Sequence, residues 1–236
     1  MDTYKRVLLK LSGEVLAGEK KHGMDSDTVL RLCGEIQEIL SINCQLGIVV
    51  GGGNFIRGIS SEEHGVDRQR ADYMGMIATY INALGLEGFL KKKGIEARIY
   101  GALNVEKVTD TWNRERILED LKKRRVVIFA GGTGNPFFST DTAAVLRASE
   151  IEAEAVLKAT KVDGVFDKDP LSYKDAKFYS EISYWEALRM QLRVLDLTAL
   201  TLAMERQIPI IVFNIKVSGN LKRVIMKEPI GTTIRA

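Results

Sequence analysis

Three glycine-rich loops, each placed directly after a short apolar run, constrain this sequence more than any other feature. The apolar runs cover residues 6–11, 46–50 and 126–130, and the loops after them are Ser12-Gly13, Gly51-Gly52-Gly53-Asn54 and Gly131-Gly132-Thr133-Gly134-Asn135. Such continuous runs are typical of strands that are buried on both faces of a parallel sheet. Ligands bind outside the carboxyl ends of such strands, where glycines leave backbone N–H groups accessible. The pattern therefore predicts a phosphate-binding site.

Composition narrows the class of protein. The 236 residues are enough for one large α/β domain or two small ones, with a core that needs no disulfide bonds. A formal net charge of +3 is too small to imply a nucleic acid or a membrane as partner, and we expect neither. With only Cys33 and Cys44, and no histidine at ligand spacing, we expect no disulfide and no metal site within the protein. No signal peptide and no apolar run of membrane-spanning length are found, which predicts a cytoplasmic protein.

Apolar runs alternate with amphipathic stretches along the chain. Further strands are expected at 95–100, 155–158, 208–213 and 230–234, and helices at 66–93, 113–123, 141–150, 184–191 and 197–206, with one more helix capped by Asp25 or Ser26. This alternation predicts an α/β fold, a three-layer αβα sandwich around a mainly parallel central sheet. It breaks after Lys158, where Asp163-Gly164 is the signal of a tight hairpin turn.

Lys10 lies inside the first apolar run, on the same face of the predicted strand as Leu8. An ammonium group there either reaches water at the end of the strand or contacts an anion, and the pattern alone leaves both alternatives open. The Ser12-Gly13 that follows favours the anion.

The second and third loops carry further candidates. Arg57 follows the triple glycine closely enough to hold an anion by two parallel hydrogen bonds, although a surface arginine is the ordinary alternative. Phe137 and Phe138 are either core residues or a wall that closes over a planar ring. One of three residues could cap the helix that follows: Ser139, Thr140 or Asp141.

Two common nucleotide-binding motifs are absent. Neither G-x-x-x-x-G-K-[ST] nor a G-x-G-x-x-G after a strand occurs, so a P-loop enzyme is excluded and a dinucleotide site is disfavoured. His22 and His64 have no partner that would make a catalytic dyad, and we expect both on the surface.

Six blocks, in order and over nearly the whole chain, resemble the bacterial UMP kinases of the amino acid kinase superfamily. They are Lys10-Leu-Ser-Gly-Glu14, Gly51-Gly-Gly-Asn54 with Arg57-Gly58, Asp72-Tyr-Met-Gly-Met76, Gly132-Thr-Gly-Asn-Pro-Phe-Phe-Ser-Thr-Asp141, Lys158-Ala-Thr-Lys-Val-Asp-Gly-Val-Phe166 with Asp169-Pro170, and Leu195-Asp196-Leu197. The Gly-Thr-Gly-Asn-Pro-Phe-Phe block separates these enzymes from acetylglutamate, aspartate and carbamate kinases. The resemblance implies the amino acid kinase fold, with residues 1–236 as one domain, an acceptor lobe at about 1–150 and an ATP lobe at about 151–236.

The resemblance also implies residue roles. The residues implied to bind ATP are Lys10, Leu11, Ser12, Gly13, Gly53, Arg57, Thr160, Phe166 and Asp169. Those implied to bind UMP are Gly52, Asp72, Thr133, Gly134, Asn135, Pro136, Phe137, Phe138, Ser139 and Thr140. The implied catalytic residues are Lys10, Arg57, Asp141 and Asp196, of which the two aspartates would orient lysines or magnesium; a helix cap is the alternative for Asp141.

The implied reaction transfers a phosphoryl group from ATP, bound with Mg²⁺, to UMP in pyrimidine nucleotide synthesis. A phosphate monoester has its second pKa near ~6, so the attacking oxygen is already ionised and no general base is needed. The resemblance further implies a homohexamer, with GTP as activator and UTP as inhibitor, although the active-site motifs do not themselves establish GTP activation.

Three other functions stay open. A kinase for another small acid, such as acetylglutamate, would share the glycine loops, but the Asn135-Pro136-Phe137-Phe138 block disfavours it. A non-catalytic nucleotide sensor would have no need of Lys10, Arg57 and Asp141. The small positive net charge is the only feature that favours binding of RNA or DNA, and no interleaved aromatic and basic residues support it.

Overall fold

A computed structural model describes residues 2–56, 65–170, 172–192 and 195–236 of the chain. Its strands are β1 (Arg6–Leu11), β2 (Gln45–Val50), β3 (Ala97–Gly101), β4 (Val126–Ala130), β5 (Ala155–Thr160), β6 (Val165–Phe166), β7 (Phe178–Tyr179), β8 (Glu181–Ser183), β9 (Ile210–Asn214) and β10 (Thr232–Arg235). Its helices are α1 (Gly13–Ala17), α2 (Ser26–Ser41), α3 (Arg68–Lys92), α4 (Arg114–Lys122), α5 (Thr140–Glu150), α6 (Tyr184–Arg189), α7 (Leu197–Arg206) and α8 (Asn220–Ile225).

The central sheet has eight strands in the order β3-β4-β2-β1-β5-β9-β10-β8. Neighbouring strands are parallel except β9 and β10, which are antiparallel, and β6 pairs with β7 in a separate small sheet. Buried side chains form two clusters, one on each face: Leu9 and Leu11 belong to one, and Leu8 belongs to the other. The predicted three-layer α/β fold with a mainly parallel sheet is confirmed.

Helix starts follow the polar residues that the sequence places before them. Asp25, not Ser26, caps α2, since its side chain accepts a hydrogen bond from the Thr28 N–H. Cys33 lies on the buried face of α2, as its spacing predicts, and burial raises the pKa of its thiol to about 11. The thiol is therefore protonated and inert at neutral pH.

The tight hairpin predicted at Asp163-Gly164 is wrong. The strand that begins after Gly164 pairs with β7, so the connection spans residues 167–177 and is not a two-residue turn. Gly164 is required for a different reason: a Cβ on it would lie 2.5 Å from Oγ1 of Thr232 on β10. A close approach between two segments, not turn geometry, accounts for this glycine.

The long helix α3 carries apolar side chains on its outer surface. Met74, Ile77, Ile81 and Leu84 follow one another at helical spacing and are 38–57% exposed, although they are among the residues that define the apolar pattern of this stretch. The inner face of α3 consists largely of small and polar residues such as Ala78, Thr79, Asn82 and Ala83. We call the four exposed residues the α3 stripe.

The helices in the described part of the chain are all too short or too polar to cross a membrane.

Candidate active site

The three glycine loops meet at the carboxyl edge of β1, β2 and β4. The Gly51 N–H donates to Leu11 O at 2.7 Å, and a Cβ on Gly13 would lie 2.8 Å from the Gly53 nitrogen. Gly131 joins them through α3, because its N–H donates to Thr79 Oγ1 at 2.7 Å. The loops that the sequence predicts to converge therefore lie side by side.

Asn54 holds the second loop in place. Its side chain is 1% exposed and exchanges hydrogen bonds with the amide of Asn82 on α3, at 2.9 and 2.7 Å. Asn82 also donates to Gly51 O at 2.6 Å. These buried amides fix the glycine loop to α3, so its backbone is set before any ligand binds.

Lys10, Lys158 and Asp141 form a buried charge cluster next to these loops. Lys10 and Lys158 are register partners on the adjacent parallel strands β1 and β5, so both ammonium groups reach the same face of the sheet. Asp141, on the first turn of α5, lies between them. Its Oδ1 is 2.6 Å from Lys10 Nζ, in an ion pair outside hydrogen-bond geometry, and its Oδ2 accepts a hydrogen bond from Lys158 at 2.6 Å.

Burial and charge act against each other in this cluster. Burial raises the pKa of the Asp141 carboxyl, but the ammonium groups of Lys10 and Lys158 outweigh burial and hold that pKa below its usual value of 3.8. Burial lowers the pKa of Lys158 below 10.5, and the neighbouring Lys10 adds to the fall while Asp141 opposes it. With two ammonium groups for one carboxylate, the cluster keeps excess positive charge for an anion.

The helix-cap alternative for Asp141 is wrong, because Ser139 is the residue that caps α5. The Ser139 hydroxyl accepts hydrogen bonds from the N–H groups of Asp141 and Thr142, at 2.9 and 3.3 Å. Asp141 is thereby free to face the lysines. The structure thus decides between the candidates that the sequence left open.

Asp196 ties the start of α7 to the start of α5. It caps α7 by accepting from the Ala199 N–H, and it also accepts from the hydroxyls of Ser139 and of Thr142, the latter at 2.8 Å. Its negative charge opposes the fall in the pKa of Lys158. Asp196 therefore belongs to the same site as the charge cluster, mainly as a support.

A cleft of about 540 Å³ begins at Lys158 and extends over the carboxyl ends of β5 and β9. Three residues of the predicted ATP site line it, namely Thr160, Phe166 and Asp169. Phe166 packs edge-on against Phe178 of β7, with ring centres 5.4 Å apart. The volume and the mixture of apolar and polar lining residues are those of a pocket for a small-molecule ligand.

A second cavity, of about 380 Å³, lies between the third loop, α5 and α7. Thr133, Asn135 and Phe138 line it, together with residues of α7 that the sequence did not single out: Thr198, Thr201, Leu202 and Glu205. Phe138 is 49% exposed and Phe137 is 68% exposed, so neither is a core residue. The loop therefore presents its aromatic rings to solvent beside a cavity.

Asp72 connects the third loop to α3. Its Oδ2 accepts from the Phe137 N–H at 2.8 Å, and Arg68 donates to both of its carboxylate oxygens. Phe137 has a positive φ of 72°, a left-handed conformation that costs free energy outside glycine. The contact with Asp72 helps to hold that conformation.

Packing explains one glycine of the second loop and does not explain another. Among the residues that the structure describes, a Cβ on Gly53 would meet nothing within 4 Å, so packing does not explain that glycine. A Cβ on Gly52 would lie 2.6 Å from Gly75 O on α3, so packing already explains that glycine. The remaining residues of the predicted acceptor set, Gly134, Pro136 and Thr140, lie in the third loop or at the start of α5.

Arg57 and His64, which the sequence singled out, lie outside the described residues. His22 is exposed, as predicted. Among the residues that the structure does describe, no group of three or more His, Cys, Asp or Glu side chains could hold a metal ion.

Lys158 is the site residue that the sequence analysis did not select. It carries the same signal as Lys10, a lysine near the end of an apolar strand, and the parallel register then places the two side by side. The sequence of β5 therefore already contains the signal that identifies this lysine.

Comparison with known proteins decides the family. The model of the amino acid kinase family matches residues 5–214. The chain belongs to the amino acid kinase family. The order of the glycine loops and the lysine–aspartate cluster described above are therefore features of a chain in this family.

Solved structures agree. The UMP kinase from Bacillus anthracis superposes with a TM-score of 0.95 at 38% identity, over 99% of this chain and 97% of that one. The UMP kinase from Ureaplasma parvum gives a TM-score of 0.92 at 35% identity, with both chains fully covered. A uridylate kinase from Archaeoglobus fulgidus gives a TM-score of 0.75 at 29% identity, over 97% of this chain and 99% of the other.

Proposed function

We propose that this protein phosphorylates UMP to UDP with ATP as the phosphoryl donor, as a step of pyrimidine nucleotide synthesis in the cytoplasm. The observation that carries the proposal is the Lys10–Asp141–Lys158 cluster, which lies where the predicted donor cleft and the acceptor loop meet. Similarity over the full chain to UMP kinases supports UMP as the acceptor. In this proposal the acceptor lobe is about 1–150 and the ATP lobe about 151–236.

The chemistry needs charge and position more than a proton acceptor. An ionised phosphate oxygen of UMP attacks the γ-phosphorus of ATP, and negative charge is spread over the transferring oxygens in a loose transition state. Lys10 and Lys158 would neutralise that charge, and N–H groups of the glycine loops would hold the phosphates. Asp141 opposes the fall in the pKa of Lys158, and because it contacts both ammonium groups it aims the two lysines at the same point.

The residues present fit a magnesium ion that arrives with the nucleotide. Mg²⁺ is usually held by one or two carboxylates together with substrate phosphates. Asp141 and Asp196 are the carboxylates at this edge, and each already has polar partners within the protein, so phosphates of ATP would supply most of the ligands. When bound, the ion neutralises phosphate charge.

For the assembly, we propose a homohexamer in which the α3 stripe contributes a contact between subunits. An apolar stripe of four large residues is unusual on the surface of a monomer, which supports a covered face. GTP as activator and UTP as inhibitor belong to the same proposal and rest on the family resemblance alone.

An assay of ADP release tests the acceptor. Purified protein is given ATP and Mg²⁺ with a panel of UMP, CMP, AMP, GMP, acetylglutamate and aspartate, each with and without GTP or UTP. We expect turnover with UMP well above every other acceptor. Turnover on acetylglutamate with none on UMP would instead assign a kinase for a small acid.

Lysine variants separate an enzyme from a nucleotide sensor. Lys10→Ala and Lys158→Met should each lower kcat by roughly 100-fold or more, as expected when a transition-state charge loses its partner, while UMP binding by calorimetry changes little. Lys161→Met is the matched control, because Lys161 is an exposed lysine just beyond β5. Equal losses of turnover and of UMP binding would favour the sensor.

A further inference from the structure

Arg147 is a buried charged residue for which the proposed reaction has no use. It lies on α5 and is 5% exposed, with its guanidinium carbon 4.0 Å from the centre of the Trp112 ring. Nη1 donates to Glu150 Oε2 at 2.7 Å, and Nη2 donates to Gly132 O at 3.2 Å. A buried charge is costly unless its hydrogen bonds are satisfied, and here one of them goes to the backbone of the acceptor loop.

The contact with Gly132 O sets the direction of the next N–H group. Gly132 has a left-handed φ of 59°, in a loop where Gly131 and Gly134 are left-handed too, so the backbone alone does not fix the peptide. In a trans peptide the C=O and the N–H point in opposite directions. Holding the Gly132 carbonyl towards Arg147 therefore turns the Thr133 N–H away from Arg147.

That N–H group is an unused donor. Within the described parts of the chain, no residue accepts a hydrogen bond from the Thr133 N–H. A Cβ on Gly132 would also meet no described residue within 4 Å, so the space beside this peptide is open in that part of the structure. Thr133 also lines the cavity that the third loop shares with α7.

We propose that Arg147 is a positioning residue for the acceptor: through the Gly132 carbonyl it presents the Thr133 N–H to the acceptor nucleotide. The inference rests on the function proposed above. Trp112 fixes the plane of the guanidinium, and Glu150 fixes one end of it, so the other end reaches the loop in one orientation. A lysine could make one of these contacts but not all of them.

Steady-state kinetics of Arg147→Met and Arg147→Lys test the role. Losing a charged hydrogen bond to the loop should raise KM for UMP roughly 10-fold in Arg147→Met, with kcat and KM for ATP changed less than about twofold. Arg147→Lys should lie between the wild type and Arg147→Met. The matched control is Arg114→Met: Arg114 also bonds to this end of α5, donating to Glu150 O at 2.7 Å, and should behave as the wild type.

Hydrogen exchange in the ligand-free protein gives a readout that needs no substrate. Peptides covering residues 131–139, where the Gly134 N–H bonds to Gly131 O at 2.9 Å, should exchange faster in Arg147→Met and not in Arg114→Met. Exchange in the other peptides should stay unchanged.

Each outcome decides the inference. Unchanged exchange in 131–139 overturns it, and so does an equal rise in both KM values, which would mark Arg147 as merely structural. If Arg147→Met does not fold, Arg147→Lys carries the same comparison. If the wild type shows no turnover with UMP, the proposed function fails, and the exchange of the loop still decides whether Arg147 positions it.

Discussion

At the scale of single residues, the site depends on one carboxylate shared by two lysines. Asp141 is more than four-fifths buried and lies 2.6 Å from each of the two ammonium groups, so one carboxylate compensates two buried positive charges. Removing one partner from a buried group of charges is strongly destabilising, because the charge left behind has lost its compensation. Asp141 therefore serves stability and chemistry together.

The variant Asp141→Asn should show this in its pH dependence. The folded-state pKa of Asp141 lies below its unfolded value of 3.8. The ionised Asp141 carboxylate therefore stabilises the folded wild type above pH 3.8, and this stabilisation is lost as pH falls through the folded pKa. Lys158 has its folded pKa below 10.5, so the unfolded chain binds more protons and stability rises with pH between the two values. Without Asp141 that pKa falls further and the window widens.

We expect Asp141→Asn to lose about 3–5 kcal/mol of unfolding free energy at neutral pH and to regain part of it at a pH closer to the unfolded lysine pKa of 10.5. Urea unfolding at both pH values measures this. Glu119→Gln, which removes an exposed carboxylate 3.6 Å from Lys123, should cost less than about 1 kcal/mol. A variant whose stability follows the same pH slope as the wild type would contradict the shared-carboxylate account.

At the scale of elements, the hydroxyl of Thr232 links both strands of the small sheet, β6 and β7, to the main sheet. Thr232 on β10 is fully buried, accepts a hydrogen bond from the Val165 N–H at 2.8 Å, and donates to Tyr179 O. Val165 and Phe166 line the cleft of the proposed ATP site. Val165 and Phe166 thus form one wall of the cleft, and the position of this wall depends on Thr232.

Thr232→Val should loosen the wall while keeping the shape of the side chain. Leaving two buried backbone groups unpaired costs about 1–3 kcal/mol each, so we expect lower thermal stability and a raised KM for ATP with KM for UMP unchanged. Thr233→Val, the next residue on the same strand, points to the other face and should leave both values as they are. Equal KM values for ATP in the two variants would refute this role.

The elements also show what the sequence could predict. Buried parallel strands read as continuous apolar runs, so β1 and β4 were predicted at their observed bounds and β9 within two residues. The helices α1 and α8 have only five and six residues, too few for a periodic pattern, and were missed. The hairpin error at Gly164 has a different origin, because the contact with Thr232 joins segments far apart in sequence. Predicting that contact needs the fold.

At the scale of the whole molecule, the two opposite faces of α3 have different roles. Its inner face holds the second and third glycine loops through Asn82 and Thr79, and its outer face is the α3 stripe. The sequence predicts the helix and its length, but not which of its apolar residues face outward. Apolar spacing shows which residues share one face of a helix, and it does not show whether that face packs against the sheet or points to solvent.

If the α3 stripe contacts another subunit, charge placed on it should reduce the assembly. The double variant Ile77→Glu/Ile81→Glu should give a mass below that of the wild type by light scattering and sedimentation, with the fold retained by circular dichroism. Val217→Glu, at an apolar residue 46% exposed elsewhere, should leave the mass unchanged. A wild type that is already monomeric, or a double variant of unchanged mass, would contradict the proposed contact.

The pairing of β1 with β5 carries a consequence for how the chain becomes active. Strand side chains alternate between faces, so a slip of a single position would bring Leu157 to the carboxylate and drive the Lys158 ammonium into the opposite apolar layer. A misaligned molecule would lose the Lys158 ammonium group from the proposed phosphate-binding site, and it would also lose the packing of its apolar layers. The same register of β1 with β5 therefore serves both the packing of the two apolar layers and the assembly of the lysine–aspartate cluster.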